Sequence, residues 1–253
     1  MKDILTVIMP VRVDSKERLS NILATTSWLD GLDCRIVLLE ADTEKRIESE
    51  ALACNVKYVF QEDENPIFFR THYINQLLKD VETPIAAVWD ADIMLPFSQV
   101  EEAIRNVRDG CTIAYPYDGK YIILDETDSS LLKETKDFEK LHSLKLRSVF
   151  ERPFCGGAFL VHKNRYIQIG GENEHFIGWG PEDAERMRRA RILKHIVKWT
   201  QDGYAYHLWH PRLANSSYID DESSVRARGE FVKICCMDEI ELFEYVKSWK
   251  YFD

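Results

Sequence analysis

Five short apolar, β-branched runs alternate with segments of helical periodicity over the first 117 residues, and few architectures satisfy that alternation. The runs are "ILTVIMPV" (4–11), "CRIVLLEA" (34–41), "VKYVFQ" (56–61), "PIAAVWDAD" (84–92) and "CTIAYPY" (111–117). Each is too short and too rich in Val and Ile for a helix, and each is bounded by turn residues. Between them, 15–29 has an apolar stripe behind Ser15 as N-cap, 69–81 reads as a second helix, and 98–110 as a third that stops at Gly110. Strands in regular alternation with helices predict an α/β fold: a mostly parallel, mixed sheet flanked by helices in a Rossmann-like layer. In such layers ligands gather beyond the carboxyl ends of the strands. Pro10-Val11-Arg12, Glu40 and Asp90-Ala91-Asp92 occupy those ends.

The second half is less regular. The stretch 125–153 is charged with mixed signs; it reads as a helix near 131–147 with poorly defined flanks, a candidate mobile cover. "FCGGAFLVHKNRYIQIGG" (154–171) reads as a strand and a short turn, with Gly156-Gly157 permitting close backbone approach. "FIGWGPEDAERMRR" (176–189) opens a helix, with Pro181 before Glu182 and Asp183. "AYHLWHPR" (205–212) follows, and the tail predicts an amphipathic helix with apolar positions 240, 242, 243, 246 and 249 packed on the body. The boundaries expected are one domain over 1–215 and a C-terminal helical extension over 216–253.

Charge narrows the function. The formal net charge is −10, which disfavours nucleic acid and anionic membrane as partners. An anionic substrate would need placed arginines or a metal ion. Six scattered cysteines without a C-x-x-C pair read as reduced thiols. No window approaches the ~20 apolar residues of a membrane span. The expectation is a cytoplasmic protein, with room for peripheral membrane association.

Four groups of residues carry chemistry. D-x-D at the end of a strand would set Asp90 and Asp92 on one side, a costly pairing unless a cation sits there. His207 and His210, three apart, would complete a carboxylate–imidazole shell suited to Mn²⁺, with Mg²⁺ as second choice. Arg12 and Arg70 each follow an apolar segment and carry forks that match phosphate or a uracil edge. Trp179 between Gly178 and Gly180 reads as a platform beside Glu182 and Asp183. Each has an ordinary structural alternative: a solvated acidic turn, a hydrogen-bonded core histidine, a surface ion pair, a well-made helix start.

In combination and order, these pieces resemble GT-A glycosyltransferases, in particular the β-1,4-galactosyltransferase-like branch and its bacterial relatives. The resemblance runs from about residue 4 to 212, without 118–150. "IMPVR" is similar to the family's opening strand, "IFFRTHYIN" to its F-N-R-x-x-x-x-N segment, "WDADIMLP" to its D-x-D stretch, and the stretch from "GGAFLVH" to "GWGPEDAE" to its sugar and acceptor region. It implies a nucleotide-sugar and metal half over 1–117 and an acceptor half over 150–215. The implied donor contacts are Pro10, Arg12, Phe68, Arg70, Asn75, Asp90, Asp92, Gly157 and Trp179. Asp92 with His210, and His207 close behind, would hold the metal. Asp183 takes the catalytic-base position, with Glu182 beside it. Pro181 stands where the family has a glycine, and the acids stop after Asp183. The activity implied is metal-dependent, inverting transfer of a hexose or N-acetylhexosamine from a UDP-sugar to a glycan hydroxyl, in polysaccharide synthesis. Three rivals compete. A sugar nucleotidyltransferase would show a glycine-rich loop after the first strand, and "MPVRVDSKER" has no glycine. A non-catalytic carbohydrate or nucleotide module would not need D-x-D, H-x-x-H and E-D together, and a metal-dependent hydrolase would need a further ligand motif.

Overall fold

The computed structural model describes residues 1–143, 153–213 and 217–252. Four of the runs form β1 (Leu5–Val11), β2 (Arg35–Asp42), β3 (Val56–Glu62) and β4 (Ile85–Trp89). The helical stripes form α1 (Lys16–Leu29), α2 (Arg70–Asp80) and α3 (Phe97–Arg108). Ser15 caps α1 as its chemistry demands, its hydroxyl accepting from the Arg18 amide at 3.1 Å. Next come β5 (Ile93–Met94), β6 (Ile113–Tyr115), β7 (Lys120–Ile123) and α4 (Glu126–Thr135). The rest is β8 (Ala158–His162), α5 (Lys163–Gln168), α6 (Glu182–Ile192), β9 (Val197–Trp199), β10 (Tyr204–His207), α7 (Asp221–Cys236) and α8 (Glu239–Lys247).

Among the described residues the main sheet has seven strands in the order β3-β2-β1-β4-β8-β6-β9. β1 pairs in parallel with both β2 and β4, so the chain works outward from β1 first in one direction and then in the other. That reversal opens a crevice beyond the carboxyl ends of β1 and β4. β8 runs antiparallel to β4 and to β6, with Trp89 opposite Ala158. The segment entering β8 therefore lies beside the segment leaving β4, and the Asp90 amide donates to the Gly157 carbonyl at 2.7 Å. A small second sheet, β5-β10-β7, sets His207 opposite Ile93 and so fixes the histidines next to the turn after β4.

The core follows from this layering. Every residue of β1 and β4 is buried, as a parallel strand covered on both faces requires. A satellite core of Met94, Leu132, Phe138, Leu141, Tyr206 and Leu208 packs between the small sheet and α4. The expected mobile cover is thus packed as far as Leu141. The expected helix over 131–147 is instead α4 followed by a 3₁₀ turn over Glu139–Ser143, and its last four positions lie outside the described residues. Two other expectations change. Residues 163–168, expected as a turn, are helical in α5. The tail buries Leu242, Val246 and Trp249 but leaves Ile240 and Phe243 exposed, because α7, which has no clear apolar stripe, takes part of the contact with α6 and α8. No helix among the described residues is long and apolar enough to cross a membrane.

Candidate active site

β4 ends at Trp89, one residue before the acids, so Asp90 and Asp92 lie in a turn closed by the Ile93 amide on the Asp90 carbonyl at 3.1 Å. The period-two argument for a shared face does not hold, since it needs extended backbone through Asp92. The two carboxylates instead serve different partners. Asp92 is buried, and its Oδ2 lies 3.1 Å from His210 Nε2 and 3.6 Å from His207 Nε2. Asp90 accepts from Arg70 Nη2 at 2.6 Å and from Nε at 3.2 Å.

The first group has the makings of a metal centre. One ligand atom from each of Asp92, His207 and His210 lies within 4.8 Å of the others. His210 Nδ1 is 2.9 Å from the Pro211 carbonyl, a contact that helps to hold the ring with Nε2 toward Asp92. His207 Nδ1 is buried without a partner among the described residues. Burial works against the Asp92 carboxylate, but His207, His210 and Arg18 together hold it well below the usual range. Burial pushes His207 down; at His210 the Asp92 hydrogen bond outweighs burial and raises it. One carboxylate and two imidazoles fit Mn²⁺ better than Mg²⁺, which prefers oxygen alone.

The second group is the acidic pair opening α6. Glu182 is buried, with Oε2 unpartnered among the described residues, whereas the Asp183 side chain is 30% exposed and accepts from Arg186 Nη1 at 3.0 Å. Arg186 is itself fully buried and forks onto Glu172 at 2.7 and 2.9 Å, so the Asp183 carboxylate hangs on a rigid, paired base. The opening of α6 is thus a helix start and a presentation of two acids at once. A Cβ at Gly156 would stand 2.4 Å from Asp183 Oδ2, and one at Gly157 3.1 Å from Tyr121, whose ring neighbours His207 at 5.6 Å. The diglycine is where the acidic pair and the metal group are brought together.

Replacing Gly156 with alanine should therefore displace the Asp183 carboxylate rather than strain the backbone. For the sugar transfer that the sequence resemblance implies, we expect kcat to fall about 10²-fold with nucleotide affinity nearly unchanged, measured by steady-state kinetics and calorimetry.

Burial first, then the neighbouring Asp183, pushes the Glu182 carboxyl up to about 8. Between roughly pH 4.5 and 8 the folded chain holds a proton that an unfolded chain has released, so this group's contribution to stability falls as pH rises. Glu182→Gln should match the wild type at pH 5. At pH 9 it should exceed the wild type by a few kcal/mol, on the order this linkage allows, in denaturant titrations.

The remaining expected residues divide. Arg12 spends its guanidinium on Ala41 O (2.8 Å), Asn65 O (2.7 Å) and Asp63 (2.6 Å), tying the ends of β1 and β2 to the loop after β3. Phe68 lies under Arg12 and stacks on Tyr73 at 5.4 Å. Pro10 is buried within β1. The nucleotide contact expected of Asn75 does not fit its place: it is 1% exposed, and its amide is spent on Glu172 and Glu174. It clamps the loop before α6. Trp179 is 46% exposed and meets Tyr218 edge to face at 4.8 Å, an open aromatic shelf. Sequence reasoning missed Gly156 as the seat of Asp183, and it missed Arg18, Glu172, Arg186 and Tyr218. Only the Asp14–Arg18 spacing, i and i+4, carried a signal.

Residues 140–211 match the sequence family described as the N-terminal domain of galactosyltransferase. No curated protein sequence matches the chain. Among solved structures, it is similar to a mutant of Drosophila β1,4-galactosyltransferase 7 in complex with manganese, UDP-Gal and xylobiose. That comparison has a TM-score of 0.53 and 14% identity, over 88% of this chain and 79% of the other. A mycobacterial protein of known structure gives a TM-score of 0.52 and 15% identity, over 92% of this chain and 75% of that one. The sheet, its flanking helices and these neighbours give the fold as GT-A, while the family match covers the half expected to hold the acceptor and not the stretches around Arg12, Arg70 and Asp92.

Proposed function

We propose that this galactosyltransferase-like chain is a metal-dependent, inverting glycosyltransferase. It moves a hexose or N-acetylhexosamine from a UDP-sugar to a glycan hydroxyl, in the synthesis of a polysaccharide. The observation that carries the reading is the meeting of the Asp92–His207–His210 group and the Glu182–Asp183 pair across Gly156 and Gly157. The solved neighbour with manganese, UDP-Gal and xylobiose supports the pairing of metal, donor and glycan acceptor.

Asp92, His207 and His210 would hold the ion. A divalent cation there supplies positive charge against the departing diphosphate. The chain supplies the rest. Asp183 offers the oxygen not bound by Arg186 to the acceptor hydroxyl and takes its proton as the hydroxyl oxygen attacks the anomeric carbon from the face opposite the leaving group, which departs as the nucleoside diphosphate. Glu182, kept neutral at pH 7, donates a hydrogen bond to a sugar hydroxyl. Arg70, with Nη1 buried and unpartnered among the described residues, adds a cation beside Asp90. Trp179 and Tyr218 give a sugar ring an apolar face. The same proposal places the enzyme in the cytoplasm, and cell fractionation tests that placement.

Proton NMR of the product formed from a panel of nucleotide sugars tests the reading. A UDP-sugar donor and an anomeric centre opposite in configuration to the donor are expected. Transfer with retention, or nucleotide formation in place of a glycoside, would overturn it.

A further inference from the structure

A cation is built into the metal group. Arg18, in the first turn of α1, donates from Nε to Asp14 Oδ1 at 2.9 Å. Its Nη1 lies 3.6 Å from Asp92 Oδ2 and its Nη2 3.4 Å from His210 Nδ1, with the side chain 16% exposed. Asp92, 8% exposed at its side chain, is thus compensated before any metal arrives, as a buried carboxylate requires. A metal ion drawn to Asp92 would feel the guanidinium as a like charge. A phosphate group would find in it a planar fork matched to its own oxygens.

We propose that Arg18 is the resident counter-ion of Asp92 and a positioning residue that makes metal and nucleotide diphosphate bind together. With neither bound, it holds the carboxylate in place and weakens the hold on a metal alone. When the diphosphate enters, Arg18 turns from Asp92 to the phosphate oxygens, so each ligand strengthens the other through one shared carboxylate. The protein then favours the metal–nucleotide pair over either component. This rests on the reading of Asp92, His207 and His210 as the metal site. A plain structural ion pair makes the opposite forecast, because its removal would loosen Asp92 and leave metal affinity the same or poorer.

Calorimetry separates the two, with MnCl₂ titrated into nucleotide-free protein and UDP into Mn²⁺-saturated protein. Arg18→Gln should bind Mn²⁺ about tenfold more tightly than the wild type yet bind UDP with Mn²⁺ about tenfold more weakly. Arg18→Lys should keep the wild-type Mn²⁺ affinity. Asp14→Asn, which leaves Arg18 less compensated, should weaken Mn²⁺ binding, and it decides the matter if Arg18→Gln does not fold. Unchanged or tighter Mn²⁺ binding in Asp14→Asn counts against the proposal. Arg18→Gln binding Mn²⁺ no more tightly than the wild type, while Asp92→Asn abolishes binding, would overturn the role of Arg18 and leave the metal site standing. Mn²⁺ binding that survives Asp92→Asn, or is missing from every protein in the series, would overturn the metal site and this proposal with it.

Discussion

Asp183→Asn should bind UDP and Mn²⁺ as the wild type does and transfer sugar about 10²- to 10⁴-fold more slowly, the range a positioned general base supplies. Asparagine keeps the shape and can still meet Arg186, so the change removes proton acceptance and little else. Of the two adjacent acids, access favours Asp183 as the base: it is partly exposed, while burial keeps Glu182 protonated through neutral pH. Environments that drive neighbouring carboxyls apart assign them different work. Glu182→Gln should accordingly retain most of its turnover at pH 7, since the amide also donates a hydrogen bond. Near-normal turnover in Asp183→Asn, with collapse in Glu182→Gln, would exchange the two roles. Stopped assays with radiolabelled donor give the comparison directly.

Loss of the metal group should be as severe. Asp92→Ala removes the one carboxylate shared by both histidines and Arg18. His207, His210 and Arg18 then lose their shared carboxylate, with Asp14 left to compensate Arg18, and a divalent ion meets more positive charge than before. We expect UDP affinity to lose its response to Mn²⁺ and kcat/KM to fall by at least about 10²-fold, since ion and leaving group depend on the same anchor. Asp90→Asn should be milder in metal response, because Asp90 faces Arg70. Full-rate transfer by the wild type in excess chelator would sink the metal assignment.

The parallel half was legible because its physics is local. A β-branched run buried on both faces announces itself in sequence, and so do Ser15 as a cap and Gly110 as a stop. His207 and His210 were legible as candidate ligands only in company, and the pairing between β10 and β5 brings them beside Asp92. What stayed hidden was non-local. Nothing around Gly156 says that a carboxylate 27 positions on will occupy the space its missing side chain leaves, and nothing in "RMRR" says that Arg186 is fully buried beneath Asp183. Asn75 shows the opposite failure. A motif match gave it a ligand, while its burial and its hydrogen bonds to Glu172 and Glu174 give it a clamp. The strand expected through Asp92 failed by three residues, because two acids and an alanine are a better turn than a strand end.

The reversed strand β8 has a kinetic consequence. β1, β2 and β3 pair across modest loops, and that half of the sheet can form early. The acidic pair reaches the metal group only after β8 joins β4 and β10 joins β5, closures spanning on the order of 70 to 110 residues, of the kind that slow folding. Assembly of the site is therefore expected to come last. During refolding from denaturant, far-UV ellipticity should recover ahead of Mn²⁺-dependent UDP binding, and transfer should return with the later phase. A nascent chain halted before Ala158 would carry most of the parallel strands of the main sheet without the Glu182–Asp183 pair.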